Sequence, residues 1–381
     1  MKVAFFASDN SQLSGAFKCL ATMVESLQED YGVECLVFLP RPGDGTDLLD
    51  GMGIKHVMIH SHDWIVPINE QTKFTKKLRW IAEQGANSIA LHKIIKTLKK
   101  FNPDIIHINT SWDYVGAKAA KYLNIPVIWH IREFLEEDQK MTFWNKKNAL
   151  DLMSQSKALV AISNSIQNKY QLEFGNKIHV IYDGIDDSYN NDNNILSENI
   201  VNFITVGGLY PGKGQDVVIK ALKLLEQQGI KNFKYRLVGE GTQKKYLEKL
   251  VEHLELNNYV EFCGYSNDTT KYYLKSDVFI MSSIAEAFGR VTVEAMMNGL
   301  LVLGRKSAAT NEILKNGTYG IMFENEHDLA DIMIKVIKDR QRDKLLAIKG
   351  KKFANNTFTS KKNTNQIYKL YVELLNTQNV K

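Results

Sequence analysis

A glycine-rich stretch at residues 206–216, VGGLYPGKGQD, has the residue types of a phosphate-binding loop. Gly207, four further residues, Gly212 and Lys213 fit the pattern G-x-x-x-x-G-K, but the next residue is Gly214 instead of the Ser or Thr that holds Mg²⁺. Backbone N–H groups at a strand-to-helix turn form an anion site, and Lys213 adds a positive charge. The stretch predicts a loop that holds a diphosphate without a metal, the alternative being a plain connection.

Two carboxylates, Glu286 and Glu294, lie eight positions apart in EAFGRVTVEAM. The spacing predicts that Glu286 lies in a turn and Glu294 about two turns into the following helix. A carboxylate at that depth can accept both hydroxyls of a ribose, and one in the turn can meet a sugar hydroxyl. The alternative is a pair of surface glutamates. It is weakened because Glu294 stands in a mostly apolar run, where an unpaired charge is costly.

The first half of the chain offers weaker signals. Gly15 lies in a polar loop between the first strand and the first helix, where a glycine lets the backbone approach a ligand closely. His130 ends a predicted strand and falls on the rim of the expected cleft, with a structural role as the alternative. His107 lies inside a strand and is expected to pack against its neighbours. Past strand ends, acceptor contact and solvation are equally open for Asp113, Arg132 and Glu133.

The elements that must position these groups alternate between buried strands and helices, which indicates parallel sheets covered on both faces. In the first half the predicted strands are 2–7, 34–39, 104–109, 126–131, 158–163 and 177–182. In the second half they are 201–207, 233–239, 259–264, 277–282, 300–304 and 319–323. The Asn-rich stretch 183–200 between the two sets reads as a linker.

The alternation predicts an α/β protein of two facing Rossmann-like domains, with ligands in a cleft between their strand ends. The first domain is placed at residues 1–188, the second at 199–357. A final helix at about 358–381 is expected to have Ile367, Leu370, Tyr371 and Leu374 on one stripe. Helices are also expected at 15–28, 89–99 and 116–123.

Composition is that of a soluble globular protein, with 44% hydrophobic and 24% charged residues among 381. Three scattered cysteines show neither a disulfide framework nor metal-ligand spacing, which favours a reducing compartment. The chain begins with too short an apolar run for a signal peptide and has no stretch of spanning length. These features predict a cytoplasmic protein that meets a membrane only from its surface.

Residues 73–100 carry eight Lys or Arg against the single Glu83. Leu91, Ile94 or Ile95, and Leu98 fall at helical spacing. Such a basic amphipathic segment can lie on an anionic membrane surface. A surface helix with a solvated basic face explains the pattern equally well.

Together these stretches resemble family 4 of the retaining glycosyltransferases, over nearly the whole chain. VGGLYPGKGQD is similar to the family's phosphate loop, LVGEG at 237–241 to its glycine turn, and EAFGRVTVEAM to its E-x7-E motif. SGAF resembles the N-terminal glycine loop, and His130 falls at the family's cleft histidine. VIYDGID resembles the segment that closes the first domain, with Asp183 where Asn is usual. NQIYKLYVELL resembles the terminal helix that crosses back onto the first domain.

The resemblance implies a two-domain (GT-B) fold and a role for each matching residue. Lys213, Glu286 and His130 are implied as catalytic groups. The implied donor-binding residues are Gly15, Gly207, Gly208, Gly214, Gly239, Tyr265, Phe288, Gly289, Arg290, Val291 and Glu294.

Two departures stand in donor-facing loops. The family usually has Arg where this chain has Gly208, which leaves one cation fewer for the leaving diphosphate, and Arg290 is the candidate substitute. Ala308 and Ala309 stand where a glycine pair is common near the donor sugar. Two extra methyl groups there are expected to narrow the sugar pocket.

The implied reaction moves a hexose-like sugar from a nucleoside-diphosphate sugar to an acceptor hydroxyl, with retention at the anomeric carbon and no metal cofactor. Surface polysaccharide or glycolipid assembly is the preferred setting, because a lipid-linked acceptor would give the basic segment a purpose. The rivals are a nucleotide-sugar-binding partner without turnover and an ATP-dependent enzyme. No nucleic-acid partner is expected. The base, the sugar, the acceptor and the oligomeric state are not specified.

Overall fold

The structure, a computed structural model, describes residues 1–190 and 200–377. The chain divides into two compact units, Met1–Gly184 with Ser360–Lys381, and Ile185–Thr359. The sequence placed the end of the first domain at residue 188 and the end of the second at residue 357, and the structure has these ends at Gly184 and Thr359. Half of the predicted linker, residues 191–199, lies outside the described residues, as do residues 378–381.

The first unit is built on a parallel sheet with the strand order β3-β2-β1-β5-β6-β8-β9 and has a separate antiparallel pair, β4 and β7. Its strands are β1 (Lys2–Phe6), β2 (Glu34–Leu39), β3 (His56–Met58), β4 (Ile65–Pro67), β5 (Ile105–Ile108), β6 (Val127–Ile131), β7 (Met141–Phe143), β8 (Ala158–Ala161) and β9 (Ile178–Val180). All the long apolar runs expected as strands are confirmed. The expectation missed β3, β4 and β7, because three residues are too few for a run or an alternation.

The helices that precede the second unit pack around the first sheet. They are α1 (Gly15–Tyr31), α2 (Gly45–Gly51), α3 (Phe74–Phe101), α4 (Val115–Leu123), α5 (Lys146–Ser154) and α6 (Asn164–Phe174). Helix α1 begins because the Ser14 side chain accepts from the Phe17 amide, and it ends at Gly32 with a left-handed φ of 61°. Gly15 is therefore the first helical residue, which confirms the expected helix start at residue 15, and it directly follows the polar loop.

The second unit repeats the plan with a parallel sheet of strand order β12-β11-β10-β13-β14-β15. Its strands are β10 (Val201–Val206), β11 (Phe233–Val238), β12 (Val260–Gly264), β13 (Val278–Met281), β14 (Leu301–Arg305) and β15 (Ile321–Phe323). Its helices are α7 (Gln215–Gln227), α8 (Lys244–His253), α9 (Thr270–Tyr273), α10 (Arg290–Met297), α11 (Ala308–Ile313), α12 (Glu326–Lys338) and α13 (Arg340–Thr357). Every strand expected in this half is confirmed, as is the helix directly after the glycine-rich loop.

The last helix, α14 (Ser360–Asn376), belongs to the first unit and packs on α1. Ile367, Leu370 and Tyr371 are buried, and Leu374 packs against the same apolar core. The predicted stripe is confirmed. Each unit thus buries its own core of strand and helix side chains, the arrangement expected when helices cover a parallel sheet.

Helix α3 runs well beyond the expected residues 89–99. Its buried face consists of Asn87, Ala90, Ile94 and Leu98, so the apolar stripe starts from a polar residue that a search for apolar spacing overlooks. Among the described residues, no helix combines the length and the apolar character needed to cross a bilayer.

Candidate active site

The glycine-rich loop occupies residues 207–214, between the end of β10 and the start of α7. Gly207, Gly212 and Gly214 all have positive φ, at 142°, 88° and 73°. A Cβ at Gly214 would lie 2.2 Å from the carbonyl oxygen of Ser282. Glycine is therefore required at Gly214 by conformation and by space, because left-handed backbone is costly for other residues.

Side chains just past β13 and at the start of α7 hold the loop in place. The Ser282 hydroxyl, just past β13, donates to the Lys213 carbonyl at 2.8 Å, and the Gln215 side chain donates to the Gly208 carbonyl at 3.1 Å. A Cβ at Gly239 would lie 1.9 Å from the Gly207 carbonyl oxygen. Gly239 is thus a close-packing position beneath the loop.

Lys213 and Glu286, 73 positions apart, meet in this structure. The Lys213 Nζ lies 3.2 Å from a carboxylate oxygen of Glu286, and both side chains are partly exposed. The two predicted catalytic groups of the second unit therefore share one site. They place a cation and a carboxylate beside the amides at the start of α7, where an anionic ligand is stabilised.

The turn after Glu286 leads into α10 through Gly289, which has a φ of 87°. Arg290 opens the helix, and Glu294 lies four residues later, about one turn and not two as expected. Two turns would require a helix that starts directly after Glu286, whereas α10 starts at Arg290. Phe288 is 2% exposed and packs edge-on against Phe358, with ring centroids 5.6 Å apart.

Glu294 is buried and accepts a hydrogen bond from the Tyr273 hydroxyl at 3.1 Å. An Arg290 guanidinium nitrogen lies 3.9 Å from the other carboxylate oxygen. Burial, and then the nearby Glu294 charge, raise the pKa of Tyr273 well above its ordinary value, so its hydroxyl remains a donor. The tyrosine partner was missed from sequence. The Val291 carbonyl lies 3.4 Å from the same hydroxyl.

The two departures from the family pattern have physical correlates. At Gly208 a Cβ would lie 2.5 Å from the Tyr210 ring, so the tyrosine occupies the space where a larger residue would begin. Ala308 has a φ of 30°, in a region that favours glycine. Tyr265, after β12, is 47% exposed, and its hydroxyl donates to Asn267 at 2.6 Å.

In the first unit, His130 lies near the end of β6, as expected, but its side chain has no exposed surface. The Arg132 Nη2 lies 3.3 Å from His130 Nδ1. Because a guanidinium can only donate, His130 Nδ1 must be the unprotonated nitrogen that accepts this hydrogen bond. His107 Nε2, 3.2 Å from the same atom, then donates. His107 Nδ1 is left to accept from the Tyr371 hydroxyl at 2.7 Å.

Both histidines are neutral in this arrangement. Burial and then the Arg132 charge lower the pKa of His107 to about 3 and that of His130 well below its ordinary value. The proton of neutral His130 therefore lies on Nε2, which is enclosed and has no hydrogen-bond partner within the described ranges. His130 is a hydrogen-bond donor at Nε2 and not a base. The packed role expected for His107 is confirmed.

Arg132, Asp183 and Asn109 complete this cluster. The Arg132 Nη1 pairs with the Asp183 carboxylate, and its Nε donates at 3.1 Å to both the carbonyl and the side-chain oxygen of Asn109. Arg132 and Asp183 are both buried. The solvated alternative for Arg132 is therefore wrong, while contact with an acceptor stays a prediction.

Asp113 and Glu133 are buried as well, so solvation is wrong for them too. Asp113 accepts from the Val115 amide at 2.9 Å at the start of α4, and Glu133 accepts from the Ser111 amide at 2.7 Å. Burial raises the pKa of each carboxyl to about 6, with the backbone hydrogen bonds opposing the rise.

Sequence reasoning missed Tyr371 and Tyr273 as partners of site residues. Tyr371 was counted only as one apolar position of a helical stripe. A buried tyrosine hydroxyl needs a partner, and so does a histidine inside a buried strand. That pair of unmet needs was the available signal, although the chain positions alone do not say that the two groups meet.

Comparison with known proteins covers both units. Residues 13–189 match the family model described as Glycosyltransferase Family 4, and residues 190–353 match the model of glycosyl transferases group 1. An uncharacterized 41.2 kDa protein in the cps region of Klebsiella pneumoniae is 26% identical over 73% of this chain and 82% of its own. The alpha-monoglucosyldiacylglycerol synthase of Streptococcus pneumoniae is 24% identical over 72% of this chain and 67% of its own.

The fold is that of solved two-domain glycosyltransferases. The crystal structure of HepE from Anabaena in complex with UDP superposes with a TM-score of 0.79 at 23% identity, covering 98% of this chain and all of that one. At this identity the similarity shows the shared fold alone.

Proposed function

The chain belongs to the glycosyltransferases, and we propose that it moves a sugar from a nucleoside-diphosphate sugar to an acceptor hydroxyl with retention at the anomeric carbon. The observation that carries this proposal is the Lys213–Glu286 pair at 3.2 Å beside the glycine-rich loop. It joins a diphosphate cradle to a carboxylate suited to a sugar hydroxyl. UDP is the first candidate for the nucleotide of the donor, because HepE, of the same fold, was solved in complex with UDP.

In this reaction the bond between the anomeric carbon and the β-phosphate oxygen breaks as the acceptor oxygen bonds to that carbon. Negative charge develops on the departing diphosphate, which then takes the acceptor proton. Lys213, the loop amides and the start of α7 stabilise that charge. Each such preorganised contact is worth about 3–4 kcal/mol in the transition state. No separate strong base is required, which agrees with the neutral donor tautomer of His130.

The remaining groups orient the donor. We assign Glu286 to a hydroxyl of the transferred sugar and Glu294 to the ribose, with Tyr273 holding the Glu294 carboxylate in place at 3.1 Å. His130 stays a predicted substrate contact, and this role requires the enclosed Nε2–H to become accessible when substrate binds. Arg290 is the candidate second cation, in place of the arginine that the family usually has at the position of Gly208.

We also propose that the reaction needs no metal. The residue that follows Lys213 is glycine and has no hydroxyl for Mg²⁺, so the loop can neutralise a diphosphate only by amides and the lysine.

A glycan or lipid-linked acceptor, in surface polysaccharide or glycolipid assembly, is the setting we propose. The relatives support it, since one lies in a cps region and another is named a glucosyldiacylglycerol synthase. Helix α3 supports contact with an anionic membrane surface, because Phe74, Leu78 and Ile81 are 71%, 51% and 53% exposed among basic side chains. Reversing the charges of Lys96, Lys99 and Lys100 should release the protein from anionic vesicles. Unchanged vesicle binding would remove the membrane from the proposal.

Calorimetric titration tests the donor site. UDP, GDP, ADP and ATP are titrated with and without Mg²⁺ into wild type, Lys213→Ala and Lys220→Ala. Lys220 is the control, since it lies on α7 and pairs at 3.2 Å with Asp216, outside the loop. We expect metal-independent binding of one diphosphate, weakened at least tenfold only in Lys213→Ala. Magnesium-dependent ATP binding would contradict the proposal, and binding without any donor hydrolysis or transfer would indicate a non-catalytic partner.

A further inference from the structure

A cavity of about 260 Å³ lies in the first unit, apart from the His107–His130 pair. It opens where the loop after β3, the loop after β5, the end of β7 and the first half of α3 come together. The residues that matter for its chemistry are Arg41, His60, His62, Asp63, Trp112 and Trp144. The sequence analysis assigned no role to this set.

Two partly exposed indoles, Trp112 and Trp144, form walls that the unit holds in position. The Trp64 indole donates to the Ser111 carbonyl at 2.7 Å, next to Trp112. The Trp144 amide donates to the Trp64 carbonyl at 2.9 Å, and the Trp144 ring lies 5.6 Å from the Trp80 ring. The two walls are thus tied to one buried residue, Trp64.

The polar side of the cavity is fixed by Asn87 of α3. Its side-chain oxygen accepts from the His62 amide at 2.8 Å, while its nitrogen donates to the His62 carbonyl at 2.9 Å and to the Tyr114 hydroxyl at 2.8 Å. Asp63, the next residue, accepts from the Ile65 amide at 3.1 Å. This explains why the buried stripe of α3 includes an asparagine, and it presents Asp63 in one orientation.

Two of the three Lys and Arg side chains that line the cavity are committed to ion pairs, and the third, Arg41, donates to the Ser8 carbonyl at 2.9 Å. Arg79 donates to Glu83 at 2.7 Å, with His62 3.7 Å from the same carboxylate oxygen, and Lys76 pairs with Glu70 at 2.8 Å. A free anion would meet the Glu83 and Asp63 carboxylates without an uncommitted cluster of cations. The balance favours a neutral ligand over a phosphate.

We propose that this cavity binds one neutral monosaccharide unit of the acceptor, an assignment that rests on the proposed transferase function. A sugar ring has an apolar C–H face that an indole can cover, and paired hydroxyls that planar groups with two polar atoms can bind. Trp112 and Trp144 supply the first requirement, and Asp63 and Arg41 the second. The volume is slightly below the lower end, about 300 Å³, of usual small-molecule pockets, which fits a single ring.

Saturation-transfer NMR on the full chain tests the assignment. The probes are methyl glycosides of glucose, galactose, mannose, rhamnose, N-acetylglucosamine and N-acetylgalactosamine, with inorganic phosphate as competitor. The variants are Trp144→Ala and Asp63→Asn, which keeps an oxygen for the Ile65 amide. Tyr122→Ala is the matched control, an aromatic residue on α4 of the same unit that is 70% exposed and outside the cavity.

We expect at least one glycoside to bind wild type and Tyr122→Ala and to bind both cavity variants at least tenfold more weakly, with phosphate having no effect. Failure of every glycoside, unchanged binding in Asp63→Asn, or displacement by phosphate would each overturn the assignment. Calorimetry with UDP on the same samples separates the two proposals. If UDP binds but no glycoside does, only the monosaccharide site is rejected. If a glycoside binds but no nucleoside diphosphate does, the proposed transferase function is rejected.

Discussion

The loop of the second unit and the histidine cluster of the first unit hold their polar groups in different ways. The loop presents backbone amides and one lysine from consecutive residues 207–214. The cluster draws on β5, β6 and α14, and its Tyr371–His107 hydrogen bond joins residues 264 positions apart. A loop of this kind depends on backbone conformation, whereas the cluster depends on the mutual satisfaction of distant side chains. The two regions should therefore fail differently when they are mutated.

Loss of the buried ion pair should have the largest effect. Arg132→Leu leaves the Asp183 carboxylate buried without its counter-charge and removes a donor from His130. We expect the free energy of unfolding of the first unit to fall by about 3–5 kcal/mol. All five tryptophans lie in that unit, so urea unfolding followed by tryptophan fluorescence measures it.

The matched control is Lys146→Leu, which breaks the exposed Lys146–Glu136 pair at 2.8 Å in the same unit. A surface pair of this kind contributes about 0–1 kcal/mol. Equal losses in the two variants would show that the cluster is no more dependent on its side chains than the surface is.

The loop should fail through its backbone. Gly214 and Gly229 have nearly the same φ, 73° and 77°, but a Cβ at Gly214 meets Ser282 while one at Gly229 meets nothing within 4 Å. Gly229→Ala should cost about 1 kcal/mol for the left-handed conformation. Gly214→Ala adds a steric term of about 1–3 kcal/mol and should also abolish UDP binding. Thermal unfolding by circular dichroism and UDP calorimetry measure both, and similar behaviour of the two variants would reject the steric argument.

This difference also explains what the sequence could predict. The loop, α7 and the strands around them followed from local signals, because glycines, a lysine and an apolar run stand in consecutive positions. The spacing of Glu286 and Glu294 indicated one site, but the helix start at Arg290 is set by the left-handed Gly289, and this shortened the expected distance along the helix. The residue types of the site could therefore be predicted from local sequence, but the residue at which the helix starts could not.

The cluster could be predicted only in part. His130 and Arg132 were placed at a strand end, but the buried cluster that they join includes Tyr371 of α14, which returns to the first unit from the far end of the chain. No local pattern says that Tyr371 meets His107, or that Asp183 meets Arg132. Asn87 and Tyr273 were missed for the same reason, since their partners are distant in sequence and their residue types are common on surfaces.

The tautomer assignment can be tested with Tyr371→Phe. The change removes the donor to His107 Nδ1 and leaves a buried acceptor unsatisfied, so the free energy of unfolding should fall by about 1–3 kcal/mol. Nitrogen-15 NMR of the histidine rings should show His107 protonated only at Nε2 in wild type and as mixed tautomers in the variant. Tyr368 is the control, because it lies on the same helix as Tyr371 and its ring stacks on that of Tyr31 of α1, with centroids 4.2 Å apart. Tyr368→Phe should leave both readouts nearly unchanged. A wild-type His107 protonated at Nδ1 would reverse the assignment.

The smallest expected effect concerns pH. Burial raises the pKa of Asp113 to about 6 from an ordinary 3.8, so between these values the folded state holds a proton that the unfolded state has released. The contribution of Asp113 to the free energy of unfolding therefore decreases as pH rises through this window, and above it the full cost of burying the charged carboxylate applies.

Asp113→Asn keeps an oxygen for the Val115 amide and removes the titration. Between about pH 5 and pH 6, the stability of wild type relative to the variant should fall by about 1 kcal/mol. Asp151→Asn, on the exposed side of α5, provides the control. If wild type instead gains on the Asp113 variant as pH rises, the carboxyl is stabilised as an anion, and the backbone amides at the start of α4 outweigh its burial.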